Sequence, residues 1–169
     1  MSKITTIGLD LAKHVFHVVC CNVHGKVIRK NMLKRSQVLA YFSNLPQCLV
    51  GMEGCASAHH WARELGALGH EVKLIPPQYV KPYVRGNKND YNDALAIAEA
   101  VTRAEMRFVW VKTPEQQDIQ ALHRLRERRL QDAYLAVQAA TGTAGRIRAD
   151  FAQRSQPTAS APAGAVGGW

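Results

Sequence analysis

The stretch Ile4-Thr5-Thr6-Ile7-Gly8-Leu9-Asp10-Leu11 decides the fold, because it has the pattern of a buried strand but carries a carboxylate near its end. An ionised carboxylate among apolar residues is costly unless it is protonated, paired with a cation or bound to a metal. Glu53 repeats this arrangement at the end of the apolar run Cys48–Met52. Two strand-end acids therefore indicate a cation site at one edge of a sheet.

A second pair of acids, Asp90 and Asp93, opens a predicted helix from Tyr91 to Met106. Residues three apart on a helix share one side, so both carboxylates can reach one centre. Each signal has a simpler explanation: acids favour the positive end of a helix dipole, and Lys13 or His14 could neutralise Asp10. All four acids in this order are harder to assign to chance.

Composition limits the class of protein. The chain has 169 residues, 47% of them hydrophobic, which suits one compact domain with an additional helix or tail. A formal charge of +9 and a pI near 9.7 favour a polyanionic partner, with nucleic acid the leading candidate. The four cysteines match no zinc spacing and suit a reducing compartment. With no signal segment and no apolar run long enough to cross a bilayer, we expect a cytoplasmic protein without membrane contact.

Hydrophobic periodicity predicts an α/β chain with the order βββ-α-β-α-β-α. Three antiparallel strands followed by alternating helices and strands are typical of an RNase H-like mixed five-stranded sheet with helices on both faces. The predicted strands are 3–10, 14–21, 26–32, 48–53 and 71–75, and the first two helices are 35–45 and 57–68.

The chain divides into three predicted parts. They are the α/β domain over 1–110, a long helix over 111–140, and a disordered tail over 141–169 that is rich in Ala, Gly, Pro and Ser. Every strand precedes residue 110, so we expect the domain to fold without the tail.

Cations alternate with aromatic rings in the linker 76–89, a combination suited to phosphate contact and base stacking. The last helix begins with a capping box at Thr113-Pro114-Glu115-Gln116 and carries a spread of arginines. The alternative is a solvated loop and a solvated charged helix face. The candidate nucleic-acid contacts are Lys13, Tyr79, Lys81, Tyr83, Arg85, Lys88, Arg124 and Arg128.

Chemistry at a phosphodiester needs charge stabilisation on attacking, leaving and non-bridging oxygens together. Two divalent cations about 4 Å apart supply it. Mg²⁺ or Mn²⁺ prefers hard oxygen ligands, so carboxylates are the expected cage. As a hypothesis, Asp10 bridges both ions, Glu53 binds one, and Asp90 with Asp93 binds the other.

Four segments together resemble the N-terminal DEDD domain of the insertion-sequence one-ten family of transposases. They are Ile7–Lys13, Met52-Glu53, Pro76–Lys81 and Asn87–Ala94, and the resemblance covers roughly residues 4–130. It implies a RuvC-like, RNase H-fold domain that binds magnesium through the four acids. It further implies a DNA recombinase related to the Piv-type invertases, homo-oligomeric at full length and in some members guided by a structured RNA.

Members of that family continue to a second domain with a nucleophilic serine, so the resemblance implies that this chain is truncated and holds half of a composite site. A shifted reading frame is one explanation. One permitted choice of codons for residues 145–156, read after dropping its first base, encodes a peptide resembling the family's continuation. The hypothesis fails if the gene's other frame encodes no such continuation.

Two other functions compete with the transposase fragment. One is a non-catalytic module that binds DNA or RNA, and the other is an RNase H-like junction nuclease that works with its acids alone. The histidines add no zinc site, because His14 and His17 are three apart on a strand and His59-His60 are adjacent at a helix start. We expect these histidines to be structural or at the surface.

Overall fold

The computed structural model describes residues 3–86 and 89–154, with side chains described for all of these except 144 and 147–154. It contains five strands and five helices within that part of the chain, together with two short 3₁₀ turns at Arg35–Gln37 and Lys81–Tyr83. The strands are β1 (Thr6–Leu11), β2 (Val15–Cys21), β3 (Val27–Lys34), β4 (Leu49–Glu53) and β5 (Glu71–Ile75). The helices are α1 (Val38–Ser43), α2 (Ala58–Ala67), α3 (Pro77–Val80), α4 (Asp90–Ala100) and α5 (Pro114–Arg154).

The strands form one mixed sheet in the order β3-β2-β1-β4-β5. β1 pairs antiparallel with β2, and β2 pairs antiparallel with β3. β4 lies parallel to both β1 and β5. This arrangement, with helices packed against it, confirms the RNase H-like mixed five-stranded sheet predicted from the sequence.

The central strands of the sheet are buried on both faces, whereas β3 is largely exposed on one. On one face Phe16 meets Trp61 of α2 edge-on, with ring centroids 5.2 Å apart, inside the largest core cluster. On the other face α4 packs through its small residues, including Ala94 and Ala98, against β1 and β2. Alternate residues along each strand therefore enter different cores.

Gly8 sets the distance between α4 and β1. A Cβ atom there would overlap the backbone carbonyl oxygen of Ala94 and approach the Ala98 nitrogen to 2.7 Å. Gly51 on β4 is similar, since its Cβ would lie 2.9 Å from the Cβ of Val101. The two glycines let the helix backbone approach the sheet directly, which fixes where α4 begins relative to the ends of β1 and β4.

Three boundaries differ from the sequence expectation. α4 ends at Ala100 and not at Met106; the Thr102 hydroxyl donates to the Glu99 carbonyl at 2.8 Å just beyond that end. The linker 76–89 contains α3 and a 3₁₀ turn in place of irregular chain. α5 continues past residue 140 to Arg154, through residues 141–154 that were expected to be disordered.

The structure divides the chain into two compact units, with the boundary after Gln117. The chain after β5 stays attached to this unit. The backbone of Val109 donates to the Leu74 carbonyl at 2.8 Å, and the contact of Gln117 with α2 extends the unit past residue 110. The remainder of the predicted tail, 155–169, lies outside the described residues. No helix in the part of the chain that the structure describes is both long and apolar enough to cross a membrane.

Candidate acidic site

Two strands place the first two carboxylates side by side. The last aligned pair of β1 and β4 is Leu9 with Met52, so Asp10 and Glu53 follow at the next position of neighbouring parallel strands. Both side chains are half-buried. Since parallel strands end at the same edge of a sheet, the two acids lie together at that edge.

The first turn of α4 brings the second pair of acids. The side chain of Asn89 caps this helix by accepting a hydrogen bond from the Tyr91 backbone nitrogen at 3.0 Å. Asp90 and Asp93 both lie in the first turn. The close contact of α4 with Gly8 places that turn beside the end of β1.

The four acids affect one another electrostatically. Burial, followed by the charges of Asp93 and Asp90, raises the pKa of Asp10 from its ordinary 3.8 to about 6, and Glu53 adds a smaller increase. Burial and the charge of Asp93 also raise the pKa of Glu53, whereas Lys81 lowers it. The site therefore has an excess of negative charge that a cation would relieve.

His17 belongs to this site, although the sequence reasoning classed it as structural or surface. It lies directly opposite Asp10 in the β1–β2 register, and its Nε2 is 3.7 Å from the Oδ2 of Asp90. Its ring is buried and meets Tyr91 edge-on at 4.9 Å between centroids. Its Nδ1 has no hydrogen-bond partner in the part of the chain that the structure describes. Only the strand register reveals it, because the position is adjacent to no acid along the sequence.

His59 has the structural role expected of it. Its Nδ1 accepts a hydrogen bond from the Lys112 backbone nitrogen at 3.2 Å. Burial and the charges of Lys112 and Arg63 lower the pKa of His59, so the neutral ring is favoured at this position.

The four acids fit a divalent cation by chemistry, because carboxylate oxygens are the ligands that Mg²⁺ and Mn²⁺ prefer. Their side chains are not gathered into a cage, since no three Asp, Glu, His or Cys side chains within the described ranges could together hold a metal ion. The carboxylate of Asp90 is 60% exposed, and those of Asp93 and Glu53 are only half-buried.

The residues expected to contact nucleic acid fall into two groups. Lys13 lies exposed in the turn between β1 and β2, at the acidic end of the sheet, and Lys81 is close enough to lower the pKa of Glu53. Tyr79 and Tyr83 instead pack against the core beneath α4. Their half-buried rings therefore stabilise the fold, and base stacking on them stays a prediction.

The charges that follow Tyr83 are paired with one another. The guanidinium groups of Arg85 and Arg103 both donate to Oε1 of Glu99, at 3.0 and 2.7 Å, and Arg103 lies 5.5 Å from the ring centroid of Tyr83. Lys88 lies outside the described residues. Arg124 and Arg128 are exposed on α5 in the second unit.

The chain is similar to known proteins of one family. The family model of DEDD transposases of the IS110 type matches residues 7–143. The match ends before Gly145, where the residues used for the shifted-frame hypothesis begin. That hypothesis therefore stays a prediction. A probable family 20 transposase of Pseudomonas aeruginosa is 56% identical over 126 residues, which are 75% of this chain and 37% of the relative.

Transposases of two named insertion sequences are also similar. The transposase of IS1328 from Yersinia enterocolitica is 46% identical, over 75% of this chain and 38% of that protein. The transposase of IS1111A from Coxiella burnetii is 49% identical, over 76% of this chain and 35% of that protein. The chain therefore spans little more than a third of the length of these relatives.

Among solved structures, T. thermophilus RuvC in complex with a Holliday junction substrate is similar with a TM-score of 0.41 and 14% identity. The likeness covers 56% of this chain and 89% of RuvC. The family model covers most of the chain. The chain belongs to the DEDD transposase family of IS110-type insertion sequences.

Proposed function

We propose that this chain is the acid-bearing domain of a DNA transposase, in which Asp10, Glu53, Asp90 and Asp93 hold Mg²⁺ or Mn²⁺ beside a phosphodiester. One observation carries the proposal: neighbouring strands β1 and β4 end in Asp10 and Glu53, and α4, packed against Gly8, begins with Asp90 and Asp93 at the same edge. The charges of the other three acids raise the pKa of Asp10, in agreement with this placement. A structural cap or a single salt bridge would not assemble four like charges at one sheet edge.

Each element has a defined role in this site. β1 and β4 hold Asp10 and Glu53 on rigid backbone, and the capped first turn of α4 supplies Asp90 and Asp93. A bound divalent cation would supply Lewis acidity at the phosphate oxygens. The ring of His17 lies between Asp10 and Asp90 and orients the Asp90 carboxylate.

The partners form part of the same proposal. The substrate is DNA, drawn to a chain of net charge +9. A structured guide RNA and a homo-oligomer of the longer protein are further partners that the family resemblance implies, and we place the activity in the cytoplasm. Strand cleavage and transfer would need the serine-bearing part that the resemblance implies.

A second candidate is a nucleic-acid-binding module without catalysis. It is favoured by the finding that, among the residues described, no three potential ligands are arranged to hold a metal. In that case the acids of the site would not affect binding to DNA or RNA, and salt-sensitive binding would remain after Asp10 is changed.

The two candidates differ in their response to metal. Titration of the purified chain with MgCl₂ or MnCl₂ by calorimetry, beside the variant Asp10→Asn, measures binding to the acids. Saturable heat that the variant loses supports the transposase site. No saturable heat in the wild-type chain, with salt-dependent DNA binding intact, contradicts the metal site and supports the binding module.

DNA cleavage assays complete the comparison. We expect the chain alone not to cleave linear DNA or four-way junctions, because the proposal assigns it half of a composite site. Metal-dependent junction cleavage that Asp10→Asn abolishes would instead establish a junction nuclease that works through its acids alone.

A further inference from the structure

We infer that the outer face of β3, carrying Lys30, Met32 and Lys34, is a DNA backbone contact that continues from the acidic site. The inference rests on the proposed function and names a surface for the DNA that function requires. These three side chains were not among the contacts expected from the sequence.

The strand register places this surface on the same face as the acids. Asp10 lies opposite His17, and His17 lies opposite Met32, so the three residues form one row across β1, β2 and β3. Side chains directly opposite in a sheet point to the same face, and residues two apart along a strand share it. Lys30 and Lys34 therefore flank Met32 on the face that carries Asp10.

A chain of contacts joins this surface to the acids. The Nζ of Lys30 lies 5.8 Å from the ring centroid of Tyr91, and that ring meets His17 at 4.9 Å. His17 in turn lies 3.7 Å from Asp90. The path from Lys30 to the carboxylates passes through side chains in direct contact, so one ligand can span both ends.

The surface is uncovered and positively charged. α4 packs against β1 and β2 through Gly8 and Val19, but Lys30, Met32 and Lys34 are exposed, with Met32 62% accessible. Among the described residues, neither lysine has a carboxylate within ion-pair distance. Residues 26–35 contain five basic side chains and no acid.

Charge complementarity selects the occupant. Lys30 and Lys34 are four residues apart on β3, about 13 Å along the strand, so they lie on either side of a backbone that crosses β3 at Met32. The exposed methyl group of Met32 lies between them, where an apolar contact with a sugar costs little. A DNA strand crossing this face would neutralise both lysines and bring its backbone to the acids at the other end of the row.

The test compares two pairs of substitutions that remove the same charge. Lys30→Gln with Lys34→Gln removes the surface, and Lys3→Gln with Lys26→Gln is the matched control. The controls lie near the opposite end of the sheet, where Thr6 pairs with Cys21, and their side chains are exposed. Binding of duplex DNA is measured by fluorescence anisotropy from 50 to 200 mM salt.

Each phosphate contact contributes about 0.9 to the slope of log affinity against log salt. We expect the Lys30/Lys34 pair to reduce that slope by about 1.8, and the control pair to change it by less than half as much. An equal reduction by both pairs, or none by the first, overturns the inference while leaving DNA binding intact. Absence of DNA binding by the wild-type chain instead contradicts the proposed function, and the inference with it.

Two further measurements identify the ligand and the position. The same titrations with duplex RNA separate the nucleic acids, and a slope change confined to RNA overturns the assignment to DNA. Met32→Glu places a carboxylate between the lysines, and we expect it to weaken DNA binding at least tenfold relative to Met32→Gln. Equal affinities of these two variants contradict a backbone passing between Lys30 and Lys34.

Discussion

At the scale of single residues, Asp10 combines a function with a cost to stability. Burial and three other acids raise its pKa to about 6 from 3.8, so between these pH values the folded state holds more protons than the unfolded state. The free energy of unfolding therefore decreases as the pH rises through that window. Above pH 6 the full destabilisation by the charge of Asp10 is present. The charge is retained although it destabilises the apo fold, as expected of a functional group.

Asp10→Asn should consequently stabilise the metal-free protein, and more so at high pH. The interval between 3.8 and about 6 corresponds to about 3 kcal/mol, which solvent screening of a half-buried group reduces to about 1 to 2 kcal/mol at pH 8. At pH 5 the advantage should be smaller. Urea unfolding in EDTA at both pH values measures it, with the exposed Glu105→Gln as a control for the loss of one carboxylate.

An advantage of Asp10→Asn that is identical at pH 5 and pH 8 would show that the acids do not interact as the structure indicates. Asp10 and Glu53 were predictable from the sequence, because a carboxylate at a strand end is conspicuous against apolar neighbours. His17 was not, because it reaches Asp10 and Asp90 only through the register of β1 with β2.

At the scale of elements, the contact between α4 and the sheet positions half of the acidic site. Hydrophobic periodicity predicted the strands and most helices, since alternation and the 3.6-residue period leave a direct trace in the sequence. It could not show that Tyr79 and Tyr83 pack under α4, because that depends on where the chain returns after β5. The apparent nucleic-acid linker is in part a support for this helix.

Gly8→Ala should displace α4 and with it Asp90 and Asp93. The new methyl group would overlap the Ala94 carbonyl oxygen, and we expect a loss of about 3 kcal/mol or more of unfolding free energy. Metal affinity should fall together with stability. Both are measured by urea unfolding and by calorimetric titration with MnCl₂.

Gly66→Ala on α2 is the matched control for Gly8→Ala. A methyl group there meets nothing within 4 Å, so helix propensity should make it neutral or stabilising by up to about 1 kcal/mol. If Gly8→Ala is tolerated as well as Gly66→Ala, α4 does not lie against β1 at the distance the structure gives.

At the scale of the whole molecule, the mixed sheet was predictable because three antiparallel strands are followed by alternating helices and strands along the chain. The end of the domain was harder to place. Arg63 donates from its Nη1 to the Lys112 carbonyl at 2.5 Å and to Oε1 of Gln117 at 2.9 Å. The Gln117 amide also donates to the Ala56 carbonyl at 3.3 Å. These polar contacts are made after the last strand, where hydrophobic periodicity carries no signal.

The contacts of Lys112 and Gln117 predict where the chain can be cut. A fragment of residues 1–117 keeps every strand and all three hydrogen bonds, so its unfolding free energy should lie within about 1 kcal/mol of the full chain. A fragment of residues 1–110 lacks Lys112 and Gln117, which accept hydrogen bonds from the charged side chain of Arg63. We expect this fragment to be less stable by about 2 kcal/mol. Urea unfolding of the two fragments beside the full chain, followed by circular dichroism and tryptophan fluorescence, makes the comparison. Equal stability of the two fragments would mean that the Arg63 contacts contribute nothing and that the domain ends at residue 110. An unfolded 1–117 fragment would mean that α5 beyond Gln117 is needed for the sheet to form.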